Sequence, residues 1–416
     1  ACIRALSDAG YETVGVGRSL RASKASGLPA RWRQRDIGKT APADWKALLK
    51  DVDIVVNAAG ALQDGSRDDL EAIHVNAIRS ITEAMRGTSI KVIQISAAGV
   101  SEDATTEFFR SKARGDAILA ASDLDWVILR PALVLGAQAF GGTALLRAAA
   151  AIPLIEARVF ADSEVQTVAL DDLAQAVVLA SSGTVPSGTI ADLAEPEGRS
   201  FPVTVHRVRE WLGYPDWRVS VPPPRWLLSI AGRIADGLGW FGWRSPLRTT
   251  ALRTLEGGVT GNSDRWTELT GHRLSSLDET LNGIPATTQD RWFARLYLLL
   301  PLLITALSGF WMISGAIGWA ERETAEVLLR DRGVPQFLST PVVVGGSLVD
   351  FALGASILWR PAARTTALMM AAVATTYLIG GTLIAPDLWS DPLGPLTKIL
   401  PAIALGLVAA ALLEER

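Results

Sequence analysis

The sequence has a single cysteine, Cys2, in 416 residues, which excludes an internal disulfide framework and any cysteine-rich metal site. Its three histidines, His74, His206 and His272, are too widely separated to form a local metal motif, and no zinc, haem or iron–sulfur ligand set is visible. An excess of one charge is missing too. Forty Lys+Arg against 43 Asp+Glu leave a net charge of −3, so no overall field draws the molecule to nucleic acid. Nothing at the N-terminus resembles a signal peptide. Charged residues are scarce at 20%, hydrophobic ones make up 49%, and the mean hydropathy of +0.25 is high for a soluble protein.

That hydropathy is unevenly distributed. Residues 291–416 hold nine basic and nine acidic side chains, confined to short stretches between apolar runs. The first run, residues 296–317, has no ionisable side chain except Tyr297. A bilayer core of about 30 Å needs about 20 helical residues, so this run is long enough to span it. Trp292 and Trp319 flank it, about 40 Å apart at 1.5 Å per residue, the spacing of two interfacial aromatic belts. Further runs near residues 337–359, 362–385 and 393–413 predict a bundle of four membrane helices. Arg291 and Arg295, Arg360 and Arg364, and Arg416 then share one side. The positive-inside rule makes that side cytoplasmic and predicts a multi-pass protein of the cytoplasmic (inner) membrane with both termini inside. Asp350 is the one acid well within an apolar run, so it should face the bundle interior, either protonated or bonded to Thr375, Thr376 or Tyr377. It fits a proton or quinone site or a structural interhelical bond.

Residues 11–17 (YETVGVG), 53–58 (DIVVNA), 91–96 (KVIQIS) and 125–131 (DWVILRP) are short β-rich runs. Helical stretches near 1–9, 43–49, 70–85 and 106–121 separate them. This alternation predicts an α/β, Rossmann-like, doubly wound parallel sheet. Such a sheet opens with a central strand and a glycine-rich turn that meets pyrophosphate at a helix N-terminus. Here the first element is already a helix, closed by Gly10, and no later GxGxxG replaces the turn. The expectation is an N-terminally truncated fragment rather than a loss of the phosphate cradle. The organisation expected is a nucleotide-binding domain over 1–200, a variable substrate or membrane-proximal region over 201–290, and the membrane domain over 291–416.

The order of YETVGVGRS, RDI, VDIVVNAAG, HVNA, VIQISAAG, FFRSK and WVILRPALVLG resembles an atypical short-chain dehydrogenase/reductase (SDR), in the branch that includes the SDR-like accessory subunit of respiratory complex I. The C-terminal ARLYLLLPL, WMISG, LVDFALG and DPLGPLTKILP are similar to a DoxX-like membrane domain. The resemblance implies an NADP or NAD cofactor. Arg18 stands where NAD enzymes carry an acid for the ribose hydroxyls, and its guanidinium suits the 2′-phosphate of NADP, with Ser19 assisting; a solvated surface arginine is the alternative. Asp36 and Ile37 resemble the pair lining the adenine pocket. Asn57, Ala58, Ala59 and Gly60 allow close backbone approach to a cofactor at a strand end. Asn76 corresponds to a helical Asn that holds a water or a kink, and Arg130 and Pro131 to the segment beside the nicotinamide.

The resemblance also implies Ser96 and Lys112 as catalytic residues, with Lys112 binding the cofactor as well. The family pattern places Tyr-x-x-x-Lys on one helix face, the tyrosine giving the proton and the lysine lowering its pKa. This chain has Phe108-Phe-Arg-Ser-Lys112, so the lysine is present and the usual acid is absent. Two functions therefore remain open. One is a membrane-anchored, NADP-preferring oxidoreductase acting on a lipophilic small molecule such as a quinone. The other is a noncatalytic NADPH-binding scaffold or redox-sensing subunit of a membrane protein complex. Residues 222–243, with Arg233 and Asp236 inside an apolar helical stretch, fit either a substrate-domain core or an amphipathic element at the membrane surface.

Overall fold

The computed structural model describes residues 1–413 apart from 66, 67, 244 and 246. It divides into two compact units, Ala1–Gly237 with Ser245–Ala294, and Leu238–Arg244 with Arg295–Arg416. The first is built on parallel strands. β1 (Val14–Gly17) pairs with β2 (Arg31–Gln34), and a second block runs in the order β10 (Thr189–Leu193), β5 (Asp125–Pro131), β4 (Lys91–Ile95), β3 (Ile54–Asn57). Three small pairs complete it. β6 (Leu133–Leu135) runs parallel to β9 (Thr167–Ala169), β7 (Ile155–Ala157) parallel to β12 (Val219–Val221), and β8 (Glu164–Val165) antiparallel to β11 (Arg199–Ser200).

Strand alternation sends successive side chains to opposite faces. Ile93, Val127 and Leu129 pack on one face with Val177, Leu193 and Trp266. Val92, Trp126 and Ile128 pack on the other with Trp45, Ile81, Met85 and Leu119. Both faces are covered, so the strands read as continuous apolar runs, as parallel strands between helices do. The same alternation aims Arg130 at the second face, toward the helix Glu107–Ala120. The predicted helix near 70–85 contains a π-helical turn, Ala72–Asn76, before the regular helix Ala77–Met85. A Cβ on Gly115 would overlap the His74 carbonyl oxygen, so glycine lets the Glu107–Ala120 helix cross against this widened turn.

In the second unit, Thr288–Ala320, Gln336–Ser356 and Arg360–Ile384 are long and apolar enough to cross a membrane. Thr288–Ala320 begins in the first unit and carries Pro301 inside it. Close approach relies on small residues: a Cβ on Gly354 would lie 2.9 Å from the Ser308 carbonyl oxygen, and one on Gly315 2.6 Å from that of Ser347. Such seams let membrane helices gain packing without a hydrophobic driving force. Asp350 accepts from Tyr377 Oη at 2.7 Å and from Ser314 Oγ at 2.9 Å, bridging three helices. Thr375 and Thr376 instead bond back to carbonyls of their own helix.

The fourth expected membrane run forms a shorter helix than the other three. Its helix, Ile399–Leu412, has 14 residues, about 21 Å at 1.5 Å per residue and short of a bilayer core of about 30 Å. Pro392, Gly394 and Pro395 hold the preceding segment in turns, because proline lacks the N–H that a helix interior requires. Three helices are thus long and apolar enough to cross a membrane, and Ile399–Leu412 is a shorter apolar one.

Candidate functional site

The C-terminal ends of β3, β4 and β5 converge with the Glu107–Ala120 helix, where parallel α/β sheets bind ligands. Phe108, Lys112 and Asp116 recur every four residues along that helix and share one face. Lys112 is buried, and its Nζ donates to the carbonyls of Ile95 at 3.3 Å and Ser96 at 3.4 Å. It stands 5.7 Å from the Phe108 ring centroid and 3.8 Å from where a Cβ on Gly60 would lie. Burial lowers the Lys112 pKa to about 8, with the Asp116 charge opposing the shift.

Ser96 is buried and donates from Oγ to Asp116 Oδ2 at 2.8 Å. The same oxygen accepts from Arg130 Nε at 3.1 Å and Nη2 at 3.0 Å. Burial raises the Asp116 pKa, against the opposing pull of Ser96, Arg130 and Lys112. The Ser96 proton is thus committed inside the protein, and the hydroxyl offers a ligand its lone pairs. Arg130 is held by Asp116, while Pro131 ends β5 and its carbonyl accepts from Ala98 N at 2.9 Å.

Asn57 organises the turn after β3. Its Nδ2 donates to Gln94 Oε1 at 2.8 Å, and its Oδ1 accepts from Ala59 N at 3.2 Å, which sets the course of Ala58, Ala59 and Gly60. His74 closes the turn from the other side. Ala61 N–H donates to His74 Nε2 at 3.1 Å, so Nδ1 carries the ring proton and donates to Ser111 Oγ at 2.8 Å. Ser111 Oγ in turn donates to the Phe108 carbonyl at 3.2 Å. Burial first, then Lys112 and Arg114, lower the His74 pKa to about 3, keeping the imidazole neutral.

Between pH 6.5 and about 3 the unfolded chain therefore binds a proton at His74 that the folded chain refuses. Stability falls as pH falls through that window, by up to about 1.4 kcal/mol per unit from this group. Urea titrations from pH 7 to 4 should show a shallower dependence in His74→Asn than in the parent.

Other expected residues lie outside this cluster. Arg18, Ser19, Asp36 and Ile37 follow the ends of the β1–β2 pair. Both Arg18 Nη atoms lie 3.1 Å from Asp68 Oδ1, an acid that would compete with a phosphate. Asp36 caps the short helix Ile37–Lys39 by accepting from Gly38 N at 3.3 Å, and Ile37 packs against the core. Asn76 lies at the end of the π-helical turn, but its side chain is exposed and accepts from Arg79 Nη1 at 3.1 Å. Of the HVNA motif it is His74, not Asn76, that enters the cluster.

Sequence reasoning missed His74, Gln94 and Asp116. A signal existed for two of them: His74, Ile78, Ile81 and Met85 follow the buried-face period, and Asp116 repeats the Phe108–Lys112 interval. A polar cleft of about 450 Å³ adjoins Arg130, lined also by Asp192, Asn262, Asp264, Arg265 and Glu268. It includes none of Ser96, Lys112 or His74, so it flanks the cluster rather than containing it.

The cluster suits a dinucleotide's nicotinamide half: glycine and alanine leave room at the β3 turn, and a buried ammonium faces Gly60 beside it. Residues 1–178 match a family model described as NAD(P)H-binding, and residues 308–407 match the DoxX-like family. No curated protein sequence matches the chain. An NADPH-dependent quinone oxidoreductase from Escherichia coli, solved with NADPH, is 18% identical with a TM-score of 0.51, covering 68% of this chain and 94% of its own. A UDP-glucuronic acid 4-epimerase from Bacillus cereus, solved with NAD, is 17% identical with a TM-score of 0.50, covering 71% and 94%. At such identities the likeness is one of fold. The N-terminal region is thus similar to an NAD(P)H-binding family on a Rossmann-type fold, and the C-terminal region, with its membrane-capable helices, to the DoxX-like family.

Proposed function

We propose that the protein is a membrane-anchored oxidoreductase that prefers NADP to NAD and acts on a lipophilic carbonyl or quinone. The observation that carries this reading is Lys112, a buried ammonium with a pKa near 8 beneath Phe108 and facing Gly60. A bound nicotinamide would supply the hydride. Lys112 donates the proton that Phe108 cannot, because a group whose pKa lies near the working pH is suited to that task. Asn57, Gln94 and His74 hold the Ala58–Ala59–Gly60 backbone open toward the ring. Asp116 orients Ser96 and Arg130, and Pro131 borders the nicotinamide side.

Arg18 and Ser19 take the 2′-phosphate, while Asp36 and Ile37 border the adenine. The fused apolar helices favour a substrate dissolved in the bilayer, and the positive-inside rule supports a cytoplasmic side for Arg291, Arg295, Arg360 and Arg364. The scaffold reading draws on the missing phenol at Phe108 and on the commitment of the Ser96 proton to Asp116.

NADPH consumption by the full chain in nanodiscs, measured with quinones and lipid aldehydes, separates the two. Turnover raised at least tenfold in Phe108→Tyr, which restores a phenol beside Lys112, supports the enzyme. Tight NADPH binding without turnover in either protein replaces it with the scaffold. Arg18→Ala should weaken NADPH binding roughly tenfold or more by removing a charged hydrogen-bond donor, with NADH affinity within about twofold. Fluorescence titration checks both affinities.

A further inference from the structure

The helix Arg225–Trp240 has two unlike faces. Ala235 is buried on the inner one, and Gly232 leaves room for Thr249 and Leu252, whose carbons would lie 2.9 and 3.3 Å from a Cβ there. Asp236 locks the same face. It accepts from Gln63 Nε2 at 2.9 Å and from Thr249 Oγ1 at 2.6 Å, tying the helix to the loop that follows the Gly60 turn. The outer face carries Trp226, Leu227, Ile230, Ile234 and, just past the helix end, Phe241, the last three following Trp226 by about one, two and four helical turns. Trp226 is 64% exposed and Trp240 71%. Arg225 and Arg233 are the charges exposed along the helix, whose one acid, Asp236, is turned inward.

We propose that this outer face lies in the headgroup layer of an anionic bilayer. Two observations favour lipid as the occupant. The end of the helix runs into Leu238–Arg244, which belongs to the unit of membrane-capable helices. There Trp243 Nε1 donates to the Leu358 carbonyl at 2.6 Å, and Arg360 N donates to the Phe241 carbonyl at 2.9 Å. These anchors sit at the turn between Gln336–Ser356 and Arg360–Ile384, and a turn between spanning helices marks a membrane surface. The composition of the face is the second: tryptophan and aliphatic side chains with arginine and no acid suit an interfacial helix on anionic lipid.

The test uses the full chain with Cys2→Ser and a nitroxide on Ile230→Cys or Ile234→Cys, in nanodiscs of phosphatidylcholine and phosphatidylglycerol. A nitroxide on the exposed Glu102→Cys serves as the reference. Power-saturation spectroscopy should find positions 230 and 234 open to oxygen and shielded from a water-soluble nickel chelate, with position 102 the reverse. Arg225→Glu with Arg233→Glu should reduce the shielding. Nickel access at 230 and 234 equal to that at 102 overturns the proposal. Spin–spin broadening that disappears on dilution with unlabelled protein also overturns it, because a second copy would then cover the face. These readouts need no turnover, so they stand apart from the oxidoreductase reading.

Discussion

Lys112→Met should lower NADPH-dependent turnover by about 10²- to 10⁴-fold, the contribution of a positioned proton donor, while the protein remains folded. Methionine fills much of the lysine volume without a charge. Lys112 is a buried ammonium whose Nζ has two long hydrogen bonds to carbonyls, so its removal relieves a desolvation cost. Thermal stability at neutral pH should therefore be unchanged or higher, and loss of turnover cannot be assigned to unfolding. The pH profile gives an independent reading. A donor must be protonated, so kcat should decline as pH rises through about 8. Stability moves the opposite way: the unfolded lysine keeps its proton up to 10.5 while the folded one releases it at about 8, so stability rises with pH across that interval. Both pH effects should vanish in Lys112→Met. A variant that keeps parental turnover with the same alkaline limb removes Lys112 from the mechanism.

Glu195→Ala should cost about 3–5 kcal/mol of stability, the usual penalty for stripping one partner from a buried charged network. Glu195 follows β10 and is 1% exposed. Its Oε1 accepts from Thr167 N at 2.9 Å and Thr167 Oγ1 at 2.8 Å. Its Oε2 accepts from Leu277 N at 2.7 Å and Arg199 Nη1 at 2.6 Å. One carboxylate thus joins β9, β11 and the start of the helix Leu277–Gly283. Alanine leaves two backbone amides and the Thr167 hydroxyl without this acceptor, and Arg199 with Asp278 alone. At about 2–4 °C per kcal/mol for domains of 150–250 residues, the melting temperature should fall by about 10 °C. Glu195→Gln keeps the acceptor for two donors but turns an NH₂ toward the others, so it should melt between the two. Thermal unfolding in detergent, followed by tryptophan fluorescence, decides the order. A shift under about 2 °C in Glu195→Ala would show that the network is not limiting.

The runs at 53–58, 91–96 and 125–131 were legible because their strands lie between packed faces and carry continuous apolar residues, whereas β2 and β10 were not among the expected runs. Asp125–Pro131 begins and ends where its pattern predicts, and the others differ by a few end residues. Membrane-capable helices were legible from run length alone, until the turn residues Pro392, Gly394 and Pro395 shortened the last one. The site was legible only in outline. Ser96, Lys112 and Asn57–Gly60 lie together, yet spacing could not show that Ser96 gives its proton to Asp116, or that His74 clasps the Gly60 turn. Glu195 had little local signal, because apart from Arg199, four residues on, its side-chain partners lie 28 and 82 residues away.

By itself, then, the sequence determined the elements whose causes are local: apolar runs, strand period, the small residues after β3 and the phenylalanine where a phenol would stand. Tertiary structure alone decided the state of each polar group. A lysine becomes an ammonium with a pKa near 8 only when the ends of β4 and the Glu107–Ala120 helix enclose it. A histidine stays neutral only when a distant amide takes one ring nitrogen and burial bars the second proton. Desolvation and hydrogen bonding depend on what surrounds a side chain, and neighbours far apart in the chain are chosen by the fold.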